Sequence, residues 1–308
     1  MTELPSRTSV WAAAARAVGS RIQHPHWHNP DELADKILGP DERALLAGHP
    51  LAEAMEQDTP QLRDNPELMS SVMTLIVRTK FIDEKLRAAV ADGAQQIVIM
   101  GAGWDTRAYR FKELLQGIRI FEVDRSNTQD RKRQRAEEAL GPAPANLTYL
   151  AIDFRVQKLS DVLAAGGYDP SKKTFFIWEG VTMYLPEAAV RETLTWIAQQ
   201  ACGSSLVFDF TFQALIDYMA QLTPDTPLTP EAKIGVERLR TIEKWGEPWI
   251  FGVPQDVEGF FTSLGLAHRE TMGMSSTEAA QRYLGWDQDS PFPSAVRKMY
   301  SISEVGVK

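Results

Sequence analysis

The stretch QIVIMGAGWDTRAYRF (residues 96–111) decides the fold, because an apolar run breaks on two glycines and then turns polar. A strand, a Gly-x-Gly turn and a helix, in that order, bring backbone N–H groups close to a nucleotide in open α/β sheets. The stretch therefore predicts a ligand site where Gly101 and Gly103 follow a strand. Glycines also end strands without binding anything, so the turn alone leaves a structural role open.

Further apolar runs continue this pattern along the chain. They alternate with helix-like segments, which is typical of βαβ units on a parallel sheet. The strong strand candidates are residues 96–100, 118–123, 147–152, 174–179 and 205–210, and the weaker ones are 267–272 and 296–302. We expect a long helix over residues 66–91 and a sheet-flanking helix over 257–264.

The helix-like segments outside this alternation suggest how the chain is organised. We predict an N-terminal helical segment at 1–92 that covers the site, and an α/β core at 93–308. A helical lid is expected as an insertion at about 213–249, after the fifth strand. Its aromatic residues either belong to the core or line a lid over an apolar ligand; they are, with their neighbours, Phe212, Tyr218, Trp245, Trp249 and Phe251.

Composition limits the partners. The 308 residues carry a formal charge of −8, which argues against a nucleic-acid partner because phosphate binding needs clustered Lys and Arg. No apolar run is long enough to span a membrane. The single cysteine, Cys202, is expected to be a buried small residue in a reducing compartment, so we predict a cytoplasmic protein, monomeric or homodimeric.

Two acidic residues follow predicted strands. Asp124 ends the second strand about 20 residues after the glycine turn, where a carboxylate accepts hydrogen bonds from ribose hydroxyls. Asp153 ends the third strand within reach of an adenine edge, with Phe154 beside it. Where a dinucleotide fingerprint has its third glycine, this chain has Thr106, preceded by Asp105. An acid there would repel a pyrophosphate and suits the cationic sulfonium of S-adenosylmethionine; NAD is the minor alternative.

Glu179 follows the most apolar strand, so burial requires a cationic partner. That partner is either an amino group of the cofactor or a protein arginine. Glu122 points to the same side of its strand as Asp124 and has either a supporting or a structural role. Arg107 and Arg110 are expected to be solvated, with a carboxylate-binding role as the alternative.

These motifs together resemble a known family. GAGWDTRAYRF, FEVD, AIDF and WEGVTMYLP, in this order, are similar to the leucine carboxyl methyltransferase family, a branch of the class I S-adenosylmethionine-dependent methyltransferases. The resemblance covers roughly residues 75–212 and extends to the segment NPDELADKILGP. It implies a Rossmann-like α/β fold with a mostly parallel seven-stranded sheet, helices on both faces, and S-adenosylmethionine as methyl donor.

The resemblance also implies roles for individual residues. Arg78 would hold the methionine carboxylate, Glu179 the amino group, Asp124 the ribose, and Asp153 with Phe154 the adenine. Tyr184 would lie near the transferred methyl group as the catalytic residue. The whole set assigned to the cofactor is Arg78, Gly101, Ala102, Gly103, Asp105, Asp124, Arg125, Asp153, Phe154 and Glu179.

The expected reaction is O-methylation of a small-molecule carboxylate to a methyl ester, without a metal. A carboxylate is ionised at neutral pH and needs no base, whereas a phenol or an alcohol would benefit from one. His24, His26 and His28 are expected to be surface or capping groups. A hydroxyl or phenol acceptor, a protein C-terminal carboxylate, and a protein that binds S-adenosylmethionine without methylating remain alternatives.

Overall fold

The computed structural model describes residues 5–57, 62, 65–223, 225–286 and 300–308. Seven strands form one sheet. They are β1 (Gln96–Met100), β2 (Arg119–Asp124), β3 (Leu147–Ala151), β4 (Thr174–Trp178), β5 (Ser205–Thr211), β6 (Leu266–Gly273) and β7 (Tyr300–Val307). Their order in the sheet is β3-β2-β1-β4-β5-β7-β6. The first five strands are parallel, and β7 runs antiparallel to both β5 and β6.

Strands β1 and β4 lie at the centre of this sheet and every residue in them is buried. Their uninterrupted apolar runs fit this position, because a central parallel strand is covered on both faces. Alternate side chains enter two different cores. Ile97 and Ile99 belong to one apolar cluster, whereas Val98 and Met100 belong to the other.

Thirteen helices are present in the described part of the chain. They are α1 (Arg7–Ser20), α2 (Leu33–Ile37), α3 (Pro40–Ala44), α4 (Pro50–Met55), α5 (Pro66–Ala91), α6 (Arg107–Arg110), α7 (Ser126–Leu140), α8 (Leu159–Ala165), α9 (Glu187–Ile197), α10 (Gln213–Gln221), α11 (Pro230–Lys244), α12 (Val257–Ser263) and α13 (Thr277–Leu284). Helices α1, α5 and α13 contribute to the core on the Ile97 face, and α8, α9 and α12 contribute to the core on the Val98 face.

Helix α5 shows how local sequence sets an element. Its N-cap Asn65 accepts a hydrogen bond from the Leu68 N–H at 3.0 Å, and Pro66 occupies the first turn, where its missing N–H costs nothing. The helix packs against α1 and also contacts β4 and β5. Arg78 is thereby carried on a buried face beside the strand ends.

The structure confirms the predicted sheet and five strong strands, with ends shifted by one residue at most positions. It also confirms the helix at 66–91. Of the weak candidate at 296–302, residues 296–299 lie outside the described residues, and β7 begins at Tyr300. The prediction for Cys202 is wrong: the residue is exposed, because it lies in a turn between α9 and β5.

Within the described ranges, no helix combines the length and the apolar character needed to cross a membrane.

Candidate functional site

A cavity of about 920 Å³ opens at the carboxyl ends of the central strands. The chain leaves β1 toward β2 on one side and the sheet continues to β4 on the other, so the strand order reverses at this point. Ligands of open α/β sheets bind at such a reversal. Helices α1, α5 and α11 contribute further walls.

Every residue that the sequence assigns to the site lines this cavity. The set is Arg78, Gly101, Ala102, Gly103, Asp105, Asp124, Arg125, Asp153, Phe154, Glu179 and Tyr184. The structure thus brings these residues together, while the role of each one stays a prediction.

The glycine turn has a conformation and a packing that exclude a side chain. Gly101 has φ +64°, and a Cβ built there would lie 2.2 Å from Cγ2 of Val181. The Gly101 N–H donates to the Val123 carbonyl at 2.7 Å, and the Gly103 N–H donates to the Asp124 carboxylate. The turn is therefore tied to the end of β2, which holds Asp124 beside it.

Asp124 is half-buried and its carboxylate also accepts the Arg125 N–H at 2.6 Å. Burial raises the pKa of Asp124 above its ordinary value, although these two backbone N–H groups oppose the shift. An ionised carboxylate has about four acceptor positions, so two remain for ligand hydroxyls.

Asp153 lies two residues beyond β3 and not at its end, because that strand stops at Ala151. The Ile152 N–H donates to the Asp124 carbonyl at 2.8 Å, which keeps the two acidic residues at neighbouring strand ends. A hydrogen bond from Arg155 lowers the pKa of Asp153 to about 2. The ring of Phe154 lies 6.0 Å from that of Trp178.

Glu179 lies in a buried cluster of arginines. Its carboxylate is 2.8 Å from Arg78 Nε and accepts from Arg107 Nη1 at 2.6 Å, with Arg16 Nη1 at 4.0 Å. Burial would raise the pKa of Glu179, but the charges of Arg107, Arg78 and Arg16 hold it well below its ordinary value. Of the two predicted partners, the structure contains the protein arginines.

Two residues missed by the sequence reasoning, Asp209 on β5 and Tyr300 on β7, orient Arg78. Arg78 Nη1 donates to Asp209 at 2.9 Å and to the Tyr300 hydroxyl at 3.0 Å. Asp209 also accepts the Gly180 N–H at 2.6 Å and the Tyr300 hydroxyl. The acid inside the apolar run SLVFDF was a signal for Asp209, of the same kind that singled out Glu179.

The prediction that Arg107 and Arg110 are solvated is wrong. Arg107 is buried and donates to Asp83 at 2.9 Å, and Arg110 donates to the same carboxylate at 2.6 Å. Asp83 lies on α5 and draws both side chains inward. Asp105 is hydrogen-bonded to Arg107 as well, so its charge is balanced within the protein.

Glu122 is fully buried, and its carboxylate accepts from Lys132 Nζ on α7 at 2.5 Å. Burial raises the pKa of Glu122 to about 7, although the charge of Lys132 opposes this shift. The residue does not line the cavity. Its structural role is the one supported here.

A contact between distant segments covers the cavity. Glu247, shortly after α11, accepts hydrogen bonds from the Arg7 N–H at 2.8 Å and the Thr8 N–H at 3.2 Å. The Ser6 and Thr8 hydroxyls donate to the same carboxylate. Glu247 therefore satisfies N–H groups that the first turn of α1 leaves unpaired.

The predicted lid aromatics divide between two environments. Trp245 and Trp249 line the cavity, and the Trp249 ring stacks on Tyr300 with centroids 5.8 Å apart. Phe251 is buried in the core, whereas Tyr218 is exposed. The lid hypothesis therefore applies to residues 245–250 and α11, and not to α10.

We call the part of the cavity between α1 and α11 its outer end, and the part around Arg78 and Glu179 its inner end. The outer end is lined by Arg7, Trp11, Arg238, Leu239, Ile242 and Trp245. Arg238 Nη2 donates to Ser71 Oγ on α5 at 3.0 Å. Since Ser71 and Arg78 are seven residues apart on that helix, the two ends are separated by about 10 Å along its axis.

The histidines play local roles. His24 Nδ1 accepts the N–H groups of His26 and Trp27 at 3.2 Å each, and His28 lies 3.6 Å from Glu32. These contacts agree with the predicted surface and capping roles. Within the described ranges, no cluster of histidine, cysteine and carboxylate groups has the geometry of a metal site.

The inner end has a donor set that fits S-adenosylmethionine. Arg78 offers a guanidinium to a carboxylate, and Glu179 offers a carboxylate to an ammonium group. Asp124 and Asp153 present acceptors to hydroxyl and amino groups at the next two strand ends. The side-chain-free turn at Gly101 leaves its backbone accessible between these two pairs.

Comparison with known proteins agrees with this geometry. The family model described as leucine carboxyl methyltransferase matches residues 9–198. A relative from Frankia alni, provisionally named an S-adenosyl-L-methionine-dependent methyltransferase, is 29% identical over 262 residues, covering 84% of this chain and 81% of the relative. A relative from Streptomyces avermitilis with the same provisional name is 36% identical over 182 residues, covering 56% of this chain and 64% of the relative.

Two solved structures share the fold. A protein from Thermobifida fusca, provisionally described as a methyltransferase, aligns with a TM-score of 0.54 at 18% identity and covers 89% of this chain and 92% of its own. A DUF574 family protein from Streptomyces avermitilis aligns with a TM-score of 0.50 at 12% identity, covering 96% of this chain and 97% of its own.

Proposed function

Because this chain belongs to the leucine carboxyl methyltransferase family and is an S-adenosylmethionine-dependent methyltransferase, we propose that it methylates a carboxylate of a small molecule to a methyl ester. The observation that carries the proposal is the ionisation state of the groups at the inner end. Those groups are suited to hold charge and to donate hydrogen bonds, and an acceptor that arrives ionised needs nothing more.

S-adenosylmethionine supplies a methyl group on a positively charged sulfur, and an acceptor oxygen takes that methyl with its electron pair while the carbon–sulfur bond breaks. The protein has to align the acceptor and exclude water, and such alignment accounts for much of the rate. The cover formed by α1 and residues 245–250 supports this role, because it encloses the cavity over the strand ends.

Tyr184 is the titratable group expected nearest the reacting atoms. Burial raises its pKa to about 12, with hydrogen bonds to Thr8 and Trp249 opposing the shift. Tyr184 therefore stays protonated at neutral pH and is a hydrogen-bond donor. A donor orients a carboxylate oxygen well, whereas an alcohol or a phenol would need a group that removes its proton.

The carboxylates at the inner end are equally poor proton acceptors. Glu179 is surrounded by arginines that hold its pKa low, and Asp124 accepts two backbone N–H groups. In the proposed site, Arg78 and Glu179 hold the amino-acid part of the donor, Asp124 the ribose and Asp153 the adenine. Tyr184 orients the acceptor carboxylate.

The test is methylation of a panel of small carboxylic acids, each matched with the corresponding alcohol or phenol. The products are analysed by mass spectrometry before and after mild alkali, which hydrolyses methyl esters and leaves methyl ethers intact. We expect alkali-labile products, lost in Glu179→Gln and retained in the exposed control Glu187→Gln. Alkali-stable products would show a hydroxyl acceptor instead, and S-adenosylmethionine binding without any product would favour a non-methylating role.

A further inference from the structure

Two guanidinium groups at the outer end have no carboxylate partner among the described residues. The Nε atoms of Arg7 and Arg238 are buried, and within the described part of the chain neither has a hydrogen-bond partner. Arg238 uses Nη2 for Ser71 and for the Glu67 carbonyl at 3.4 Å. The arginines of the inner end, by contrast, all lie against acidic side chains.

This arrangement is costly in the empty cavity. A buried cation without a counter-charge loses hydration that nothing replaces, and buried donors in native proteins are nearly always paired. Burial lowers the pKa of Arg238 below its ordinary value, with the charge of Glu67 opposing the shift. An anionic ligand group at this position would offset the loss of hydration.

The walls around the two arginines are flat and apolar. Arg7 Cζ lies 4.6 Å from the ring centroid of Trp245, and Arg238 Cζ lies 5.9 Å from that of Trp11. Each guanidinium is thus held over an indole face, an arrangement that restrains a planar cation while leaving its N–H edge free. Leu239 and Ile242 add aliphatic surface on the α11 side.

We propose that the outer end is an anion subsite, in which Arg238 and Arg7 bind a second negatively charged group of the methyl acceptor. This inference rests on the proposed function in one respect: it takes the cavity to be the acceptor site. The acceptor is then an elongated molecule with a carboxylate at the inner end, an apolar middle along Trp11 and Ile242, and an anionic group about 10 Å away. A dicarboxylate is the simplest member of this class.

The experiment uses linear dicarboxylates of increasing chain length as probes, each matched with the monocarboxylate of the same length. Binding is measured by calorimetry on the full chain saturated with S-adenosylhomocysteine, and methyl ester formation is measured separately with S-adenosylmethionine. The variants are Arg238→Gln, Arg238→Lys and Arg7→Gln. The matched control is Arg240→Gln, which removes an exposed charge from the same helix.

We expect the best dicarboxylate to bind the wild type at least about tenfold more tightly than its monocarboxylate, as one charge-assisted contact predicts. Arg238→Gln and Arg7→Gln should abolish that preference and leave monocarboxylate binding unchanged, whereas Arg240→Gln should keep it. Arg238→Lys, which keeps the charge and loses the planar fork, should retain part of the preference and shows that a loss in Arg238→Gln does not come from unfolding.

Equal preference in Arg238→Gln and the wild type would overturn the inference, and so would a wild type that binds neither class of probe. The two proposals fail in different ways. Arg238-dependent binding without methyl ester formation would leave the anion subsite standing and remove the carboxyl methylation. Methyl esters formed equally from both classes would do the reverse.

Discussion

At the scale of single residues, the closest packing in the site is between Gly101 and Val181. A Cβ at position 101 would lie 2.2 Å from a Val181 methyl group, and the backbone there has φ +64°. Gly93 offers a matched control, because it has φ +83° and nothing within 4 Å of the added atom.

We predict that Gly101→Ala lowers the free energy of unfolding by at least about 1 kcal/mol more than Gly93→Ala does. Both variants carry the cost of an L residue with positive φ, about 1–2 kcal/mol, and only the first adds a steric clash. Urea denaturation measures the difference, and Val181→Ala should reduce it in the double mutant. Equal losses in the two alanine variants would mean that Val181 moves aside freely.

His49 provides a pH-dependent prediction. Its Nδ1 accepts the Leu51 N–H at 3.1 Å as the N-cap of α4. Burial, with the charges of Arg238 and Arg7, lowers the pKa of His49 from 6.5 to about 4. As the pH falls, the unfolded chain takes up this proton first, so the free energy of unfolding decreases between about pH 6.5 and pH 4.

We expect His49→Asn, which keeps a capping oxygen and removes the titration, to lose less stability on acidification. The difference should reach about 1 kcal/mol between pH 7 and pH 5, once screening at a half-exposed ring is allowed for. Urea denaturation at both pH values measures it. Parallel pH profiles of the variant and the wild type would contradict the low pKa of His49.

At the scale of elements, the parts of the fold that follow from local pattern are those that the sequence predicts. Strands β1 to β5 are short apolar runs between turn residues, and the carboxyl ends of parallel strands meet at one edge. Asp124 and Glu179 were found for that reason. The Glu247 contact with α1 joins residues 240 positions apart, and no local pattern encodes such a pair.

The same contact leads to a prediction for α1. Glu247→Ala removes the acceptor of two N–H groups in its first turn, so we expect a loss of about 0.5–2 kcal/mol in stability. Hydrogen exchange should accelerate at the amides of Arg7 and Thr8. Glu243→Ala removes an exposed charge from α11 and serves as the control. Unchanged exchange in Glu247→Ala would show that other contacts hold α1 in place.

At the scale of the whole molecule, the cavity joins α1, α5, α11 and the sheet, so a ligand bound there should stabilise the protein globally. S-adenosylhomocysteine at 100 times its dissociation constant should add about 2.7 kcal/mol to the free energy of unfolding. Thermal denaturation with S-adenosylmethionine, S-adenosylhomocysteine and NAD measures the effect, and NAD should give none.

Asp124→Ala is the matched variant for this measurement. If its carboxylate binds both ribose hydroxyls, affinity should fall by roughly 2–4 kcal/mol and the stabilisation should disappear. A variant as strongly stabilised as the wild type would exclude Asp124 from the binding site. Stabilisation by NAD comparable to that by S-adenosylhomocysteine would revive the dinucleotide alternative.

The hydrogen bonds of Glu247 also set a condition on exchanging parts between related enzymes. The two segments that meet at this carboxylate lie at opposite ends of the described chain, and together they supply most of the outer end. A chimera that imports only α11 and residues 245–250 places a foreign side chain opposite the first turn of α1. Acceptor preference should therefore be transferable only when both segments come from the same parent.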